Sequence, residues 1–216
     1  MGLNRFFLTR DDRSTNNGLM KNETKEKILQ HGARLVYQKG FNHTGIGEIL
    51  KAAKVPKGSF YHYFPSKEDF GLELLDYMAV WAASVGIAAL YDKSYTPLER
   101  LKNFFQAYED NFERMNYTGG CPVGNLCLEM SDQSDPFREK LEKILEQMRR
   151  GIAKVLEEAV KAREVPEDLS VEATAHFIIS AWQGTLLQTK VMKNGESIQV
   201  FKRIVFEQLL QNKQPL

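Results

Sequence analysis

The chain has 216 residues, with 29 Lys/Arg against 28 Asp/Glu and two cysteines. That length buries a core in one domain or two small ones. So few cysteines exclude a disulfide-built scaffold and fit a reducing cytosol. The net charge of +1 hides a split, because residues 1–67 hold 12 Lys/Arg against 5 Asp/Glu and the remainder 17 against 23. A basic first third on an acidic body reads either as a polyanion-binding end or as a solvated charged surface. The most apolar run, Met78 to Tyr91, is 14 residues long and too short to cross a bilayer. Residues 1–20 carry no continuous apolar stretch before a small-residue cleavage site. A cytoplasmic protein with no membrane partner is the expectation.

In chain order, residues 1–20 read as a flexible arm: Phe6, Phe7 and Leu8 precede the polar stretch Thr9 to Gly18, and Met20 is an alternative start. Arg5, Arg10 and Arg13 on that arm either reach a flanking DNA groove or belong to a plain disordered tail. Glu23 to Lys39 has Ile28, Leu29, Leu35 and Val36 at helical spacing and stops at Gly40. Thr44 is placed to N-cap a second helix that buries Ile46, Ile49, Leu50 and Ala53, ending at Lys54. Lys54 stands where a positive φ would favour Gly or Asn. Pro56 suits the start of a short helix from Lys57 to Phe64.

Lys67 to about Tyr91 reads as one long buried helix, and Thr96-Pro97 starts another that runs to about Asn116. Gly119-Gly120 breaks the chain, and Pro122 restarts it as a short helix to Ser131. Asp135-Pro136 caps a long charged helix to Arg163. Ser170 caps a helix to about Val191, Asn194-Gly195 turns the chain, and Ser197 to Gln211 is the last helix. The fold class is therefore all-α, with about nine helices in two parts: 21–67 and 68–216.

Two short helices around a tight turn, the second loaded with donors, form a helix-turn-helix DNA reader. Residues 44–68, Thr44-Gly-Ile-Gly-Glu-Ile49 through Lys57-Gly-Ser-Phe-Tyr61-His-Tyr-Phe-Pro-Ser-Lys67-Glu68, resemble the TetR/AcrR transcriptional regulators almost position by position. Lys57 suits guanine O6/N7, Ser59 or Tyr61 a base edge or thymine methyl, and His62 projects beside them. Thr44, Tyr63 and Lys67 read as phosphate clamps, with packing the other reading for Tyr63. Gly58 either lets the backbone approach DNA or is a tolerated glycine. The resemblance assigns these jobs to Thr44, Lys57, Tyr61, His62, Tyr63 and Lys67, and implies a homodimer on palindromic double-stranded operator DNA.

The last two helices carry stripes: Ala173, Phe177, Ala181, Gly184 and Gln188 on one, and Ile198, Phe201, Val205 and Leu209 on the other. An internal core and a dimer interface both fit such stripes. In the resembled family these helices pair across a two-fold axis. An effector pocket is expected in the same body, with Trp81, Phe104, Tyr108, Phe112, Met130, Met148, Phe177 and Trp182 as candidates or as plain core.

Cys121, in Gly119-Gly-Cys-Pro-Val-Gly-Asn125, stands at an expected helix N-cap, where backbone N–H groups and the helix dipole favour thiolate. A structural cysteine is the alternative. The run Gly120-Cys121…Leu126…Glu129…Ser131-Asp-Gln-Ser134 resembles the NemR-like branch of the family, which implies response to electrophiles or oxidants through Cys121. The same resemblance places Lys190 near that thiol. Cys127 is expected to be turned away and buried. His31, His43, His62 and His176 show no metal-ligand spacing, so no metal and no cofactor are expected.

The reading is a repressor released from its operator by modification of Cys121. A repressor induced by a non-covalent apolar ligand is the second possibility, and a helical protein-binding adaptor the third. No nucleophile elbow, phosphate loop or dinucleotide fingerprint points to an enzyme.

Overall fold

Pro and Gly breaks divide the chain into successive helices, and no strand occurs among the described residues. The computed structural model describes residues 16–211, with side chains from residue 23 onward. The expected arm residues Arg5, Arg10 and Arg13 lie outside that range. The order is α1 (Asn16–Lys39), α2 (Ile46–Ala53), a 3₁₀ helix (Lys57–His62), α3 (Lys67–Ala83), α4 (Ile87–Tyr91), α5 (Pro97–Arg114), α6 (Pro122–Met130), α7 (Asp135–Lys161), α8 (Val171–Met192) and α9 (Glu196–Arg203). A π-helical turn, Ile204–Leu209, continues α9. α1 begins seven residues ahead of the expected Glu23.

α1, α2, the 3₁₀ helix and the first turns of α3 form an N-terminal helix-turn-helix domain around Ile28, Ile49, Leu50, Phe60, Phe64 and Phe70, all essentially inaccessible. α5 to α9 build the C-terminal domain, where Phe105, Trp182 and Phe201 pack with ring centroids about 5 Å apart. α3 joins the two.

Other helix ends also depart from the sequence expectation in position or capping. Gly45, not Thr44, is the N-cap of α2. Ser134, not Asp135, caps α7, its side chain accepting from the Phe137 N–H at 3.3 Å. Ser170 precedes α8 without a side-chain capping bond. The helix expected to run to Tyr91 breaks after Ala83. The Ser84 hydroxyl donates back to the Trp81 carbonyl (2.7 Å). A Cβ at Gly86 would meet the Phe104 carbonyl oxygen at 3.0 Å, so the chain must turn here against α5. Lys54 adopts the left-handed conformation that its turn position requires (φ 56°).

α4, α5 and α7 are joined by one ion pair. Arg100 is buried, donating to the Leu90 carbonyl (2.9 Å) and pairing with Glu158, which also binds Lys93 at 2.7 Å. Hydrogen bonds, from Lys93 first and Arg100 second, hold the Glu158 carboxyl down at about 2. A depressed folded value contributes stability that is complete above the unfolded carboxyl pKa and disappears as pH falls through the folded one. Glu158→Gln is therefore expected to be less stable than the parent protein at pH 7, because Arg100 loses its counter-charge. The gap should close as pH drops from about 5 towards 2, which urea unfolding across that range measures.

Candidate DNA-binding surface and effector site

The stretch expected as a recognition helix is a short 3₁₀ turn ending at His62 rather than an α-helix to Phe64. Of the eight residues between Pro56 and Pro65, the six from Lys57 to His62 take the 3₁₀ form. Phe60 and Phe64 fix it by packing on Phe70 of α3, with centroids 5.7 and 5.1 Å away. Lys57, Gly58, Tyr61 and His62 are left exposed on one surface, with Ser59, Tyr63 and Lys67 half-buried beside them. A Cβ on Gly45, Gly47 or Gly58 would meet nothing within 4 Å, so backbone is bare on this face. Gly45 caps α2 without a side-chain bond, and the Glu48 N–H of the first turn donates to the Gly45 carbonyl at 3.1 Å.

Thr44 does not join this surface. It is 1% exposed and its hydroxyl donates to the Gly40 carbonyl at 2.6 Å, so it holds the turn and is not offered to a phosphate. Lys67 is partly engaged: its Nζ lies 3.4 Å from the Asn42 carbonyl and 4.8 Å from the Phe41 ring centroid.

Cys121 is the N-cap of α6, as expected, and its Sγ accepts from the Gly124 N–H at 3.3 Å. Gln183 Nε2 lies 3.6 Å away. The expected low pKa is not found: burial pushes the thiol up, against the opposing bonds from Gly124, Gln183 and Val123. Desolvation of a thiolate outweighs three donors in this site. Lys190 meets Asn125 Oδ1 at 3.5 Å on the exposed side of the same helix. Cys127 is half-buried rather than fully buried.

The thiol lies in the wall of a partly open cavity of about 350 Å³ between α3, α4, α5, α7 and α8, with Val80, Tyr91 and Gln147 of its lining exposed. Trp81, Phe104, Tyr108, Phe112, Met148 and Trp182 line it as expected. Met130 and Phe177 do not. Met130 is buried in the core, and Phe177 is 51% exposed on the outer face of α8. Tyr37, also in the wall, donates to the Gly120 carbonyl at 2.8 Å. Its phenol is pushed up to about 12, by burial first and then by Cys121. Gly119, at φ +85°, admits this contact, because a Cβ there would sit 2.1 Å from the Tyr37 oxygen.

The outer face of α8 carries Ala173, Phe177, Gly184 and Gln188 exposed and Ala181 half-buried, extended by exposed Leu187, Val191, Met192 and Val200. The expected second stripe faces the other way. Ile198, Phe201 and Val205 are buried in the protomer's own core and Leu209 is half-buried, because the apolar stripe of α9 packs on α5 and α8.

The far end of α6 reaches the helix-turn-helix. The Glu129 carboxylate accepts from the Phe41 and Asn42 N–H groups, both at 2.8 Å, and Asn42 Nδ2 donates to Gln133 Oε1 at 3.0 Å. The Ser134 hydroxyl donates to Glu68 at 2.6 Å. The motif reading had included Glu129 and Ser134 without assigning them this contact.

Residues 28–74 match the family described as bacterial regulatory proteins, tetR family, and residues 97–205 match the tetracyclin repressor-like C-terminal domain. The chain belongs to the TetR family. Relatives include the transcriptional regulator AcuR of Cereibacter sphaeroides (36% identical, covering 82% of this chain and 81% of that one). The repressor DhaR of a Mycobacterium species is 32% identical (89% and 95% covered), and the repressor NemR of Escherichia coli 30% (83% and 90%). Among solved structures, a TetR regulatory protein from Rhodobacter sphaeroides superposes with TM-score 0.78 at 35% identity (85% and 97% covered). Reduced NemR of E. coli gives 0.73 at 29% (85% and 96%). The protein is thus a TetR-family transcriptional regulator, a class that binds operator DNA, typically as homodimers, and is not enzymatic. Among the described residues no helix is long and apolar enough to cross a membrane.

Glu129→Ala should cost about 1–3 kcal/mol of stability through the loss of acceptors for two backbone donors. Hydrogen exchange should accelerate at the Phe41 and Asn42 amides while the α8 amides keep their protection.

Proposed function

We propose that this TetR-family regulator is a cytoplasmic, homodimeric repressor that leaves a palindromic operator when an electrophile modifies Cys121. Residues 21–67 are the DNA-binding unit and 68–216 the sensing and dimerising unit. The observation that carries the reading is the position of Cys121: its thiol walls an apolar cavity and caps a helix whose other end grips the α1–α2 turn. Lys57, Ser59, Tyr61 and His62 face base edges, Tyr63 and Lys67 face phosphates, and the bare backbone at Gly58 permits close approach.

In the covalent step the Cys121 sulfur bonds the β-carbon of an activated alkene. The π pair moves to the α-carbon, which takes up a proton as the thiol loses one, so S–H adds across C=C. The raised thiol pKa slows such a reaction in free solution. The cavity offsets this by holding the alkene against the sulfur, where orientation replaces a bimolecular encounter. An adduct displaces the start of α6 and, through Glu129, the turn before α2. The two recognition turns of a dimer must match half-sites about 34–36 Å apart, so a small displacement loses much of the affinity. The burial of Cys121 also favours a second reading, in which an apolar ligand fills the cavity without bonding and Cys121 is structural.

Operator release separates the two. With the purified protein on its own upstream DNA, methyl vinyl ketone should release the parent protein and leave Cys121→Ser bound. Release of both, or of neither, removes the covalent reading. The exposed apolar face of α8 supports the dimer. Phe177→Asp should shift the protein from dimer to monomer in sedimentation and weaken operator binding at least tenfold, with unchanged helix content.

A further inference from the structure

We infer that the cavity beside Cys121 takes an uncharged small molecule, apolar over most of its surface and carrying a hydrogen-bond acceptor such as a ketone oxygen. This rests on the reading of the cavity as the effector site and adds the chemical class of its occupant.

The first observation is the wall itself. Among the described residues, none that lines the 350 Å³ cavity is Asp, Glu, Lys, Arg or His. A carboxylate or ammonium entering it would leave water for a surface with no counter-charge, which is strongly unfavourable. The contrast across Cys121 is sharp. The groove on the other side of the thiol, about 1530 Å³ between α6, α7 and α8, is lined by Arg138, Glu142, Lys143, Glu146, Arg149 and Lys190 among others. Charge is abundant outside the thiol and absent inside it.

The second observation is that the start of α6 is not free to bind an anion. A helix N-terminus ordinarily offers one. Here Pro122 has no N–H, the Gly124 N–H goes to Cys121 Sγ, and the Asn125 N–H goes to the Cys121 carbonyl at 2.9 Å. The thiol has taken the position an anionic ligand would occupy.

The third observation concerns the polar side chains of the wall, which besides Cys121 and the solvent-exposed Tyr91 and Gln147 include Tyr37, Tyr108 and Asn111. The Tyr37 and Tyr108 hydroxyls donate to the carbonyls of Gly120 (2.8 Å) and Ala82 (2.7 Å), so their protons are committed. Asn111 differs: its Nδ2 meets the Met115 sulfur at 3.5 Å, and a thioether is a weak acceptor. A ligand oxygen is a better partner for that amide. The volume corresponds to roughly a dozen waters at about 30 Å³ each, which suits one ring with a short chain.

The test uses two unreactive molecules of one skeleton, 4-phenylbutan-2-one and 3-phenylpropanoate, the second fully ionised at pH 7.5. The chain's two tryptophans, Trp81 and Trp182, both line the cavity, so their emission reports its occupancy. The ketone is expected to change that emission saturably, with the carboxylate at least tenfold weaker. Ile87→Phe, which adds bulk at the cavity wall, should weaken ketone binding about tenfold with helix content unchanged. Met148→Phe replaces it if that variant fails to fold. Equal or tighter binding of the carboxylate overturns the inference. So does silence from both compounds, or ketone binding that ignores the cavity-filling variant. Neither compound alkylates a thiol. Selective uptake of the ketone, together with a Cys121→Ser protein that still releases DNA under methyl vinyl ketone, leaves this inference standing and removes the covalent reading alone.

Discussion

The Glu129 carboxylate, accepting from two consecutive backbone N–H groups at the α1–α2 turn, is the contact through which the two halves of the molecule constrain each other. The Phe41 amide is partly withdrawn from water at the domain junction, where an unpaired donor is costly. Glu129 supplies its partner from the other domain. Gly40, at φ +88°, brings the chain in so closely that a Cβ would lie 3.0 Å from both carboxylate oxygens. The glycine that ends α1 is therefore also the glycine that admits α6. Loss of that geometry would weaken the junction between the two domains, which the Tyr37–Gly120 and Ser134–Glu68 hydrogen bonds also hold.

Cys121, at the opposite end of α6, illustrates a contest between two terms that sequence alone cannot rank. The N-cap position and its N–H donors stabilise a thiolate, and burial destabilises it. Burial wins, and Tyr37, Tyr108 and Trp182, from three elements remote in sequence, line the same cavity wall as the thiol. On the proposed covalent reading, burial that dulls the thiol would also restrict it to electrophiles the cavity admits.

The helix-turn-helix was legible because its information is local: apolar spacing, a turn, and a run of donors within 25 residues. Lys54 shows how far local reasoning reaches, since a positive φ was foreseeable from its place in the turn. Thr44 shows where it stops, because its burial depends on the Gly40 carbonyl and on how α1 meets α2. The break between α3 and α4 was hidden for a like reason. Ser84 and Gly86 are tolerable in a helix, and the bend is imposed by α5 lying against Gly86. Stripes on α8 and α9 looked alike, yet Phe177 faces solvent and Phe201 packs on Phe105. Periodicity fixes which residues share a face and leaves open what that face meets.

The turn before α2 is held from several sides at once, and this limits the kind of motion that can carry a signal. Lys67 of α3 sits over Phe41 and reaches the Asn42 carbonyl, Glu129 of α6 and Gln133 in the turn after it hold the segment, and Phe41 packs on Phe137 of α7 at 5.1 Å. A segment fixed by three helices does not melt when one of them shifts; it follows as a body. α6 spans nine residues, about 13 Å of helix at 1.5 Å per residue, a short rod with little room to bend. On the proposed mechanism, displacement at Cys121 would reach the turn as a tilt of the helix-turn-helix. A dimer that must match two grooves is sensitive to tilt, even while each recognition turn keeps its own fold.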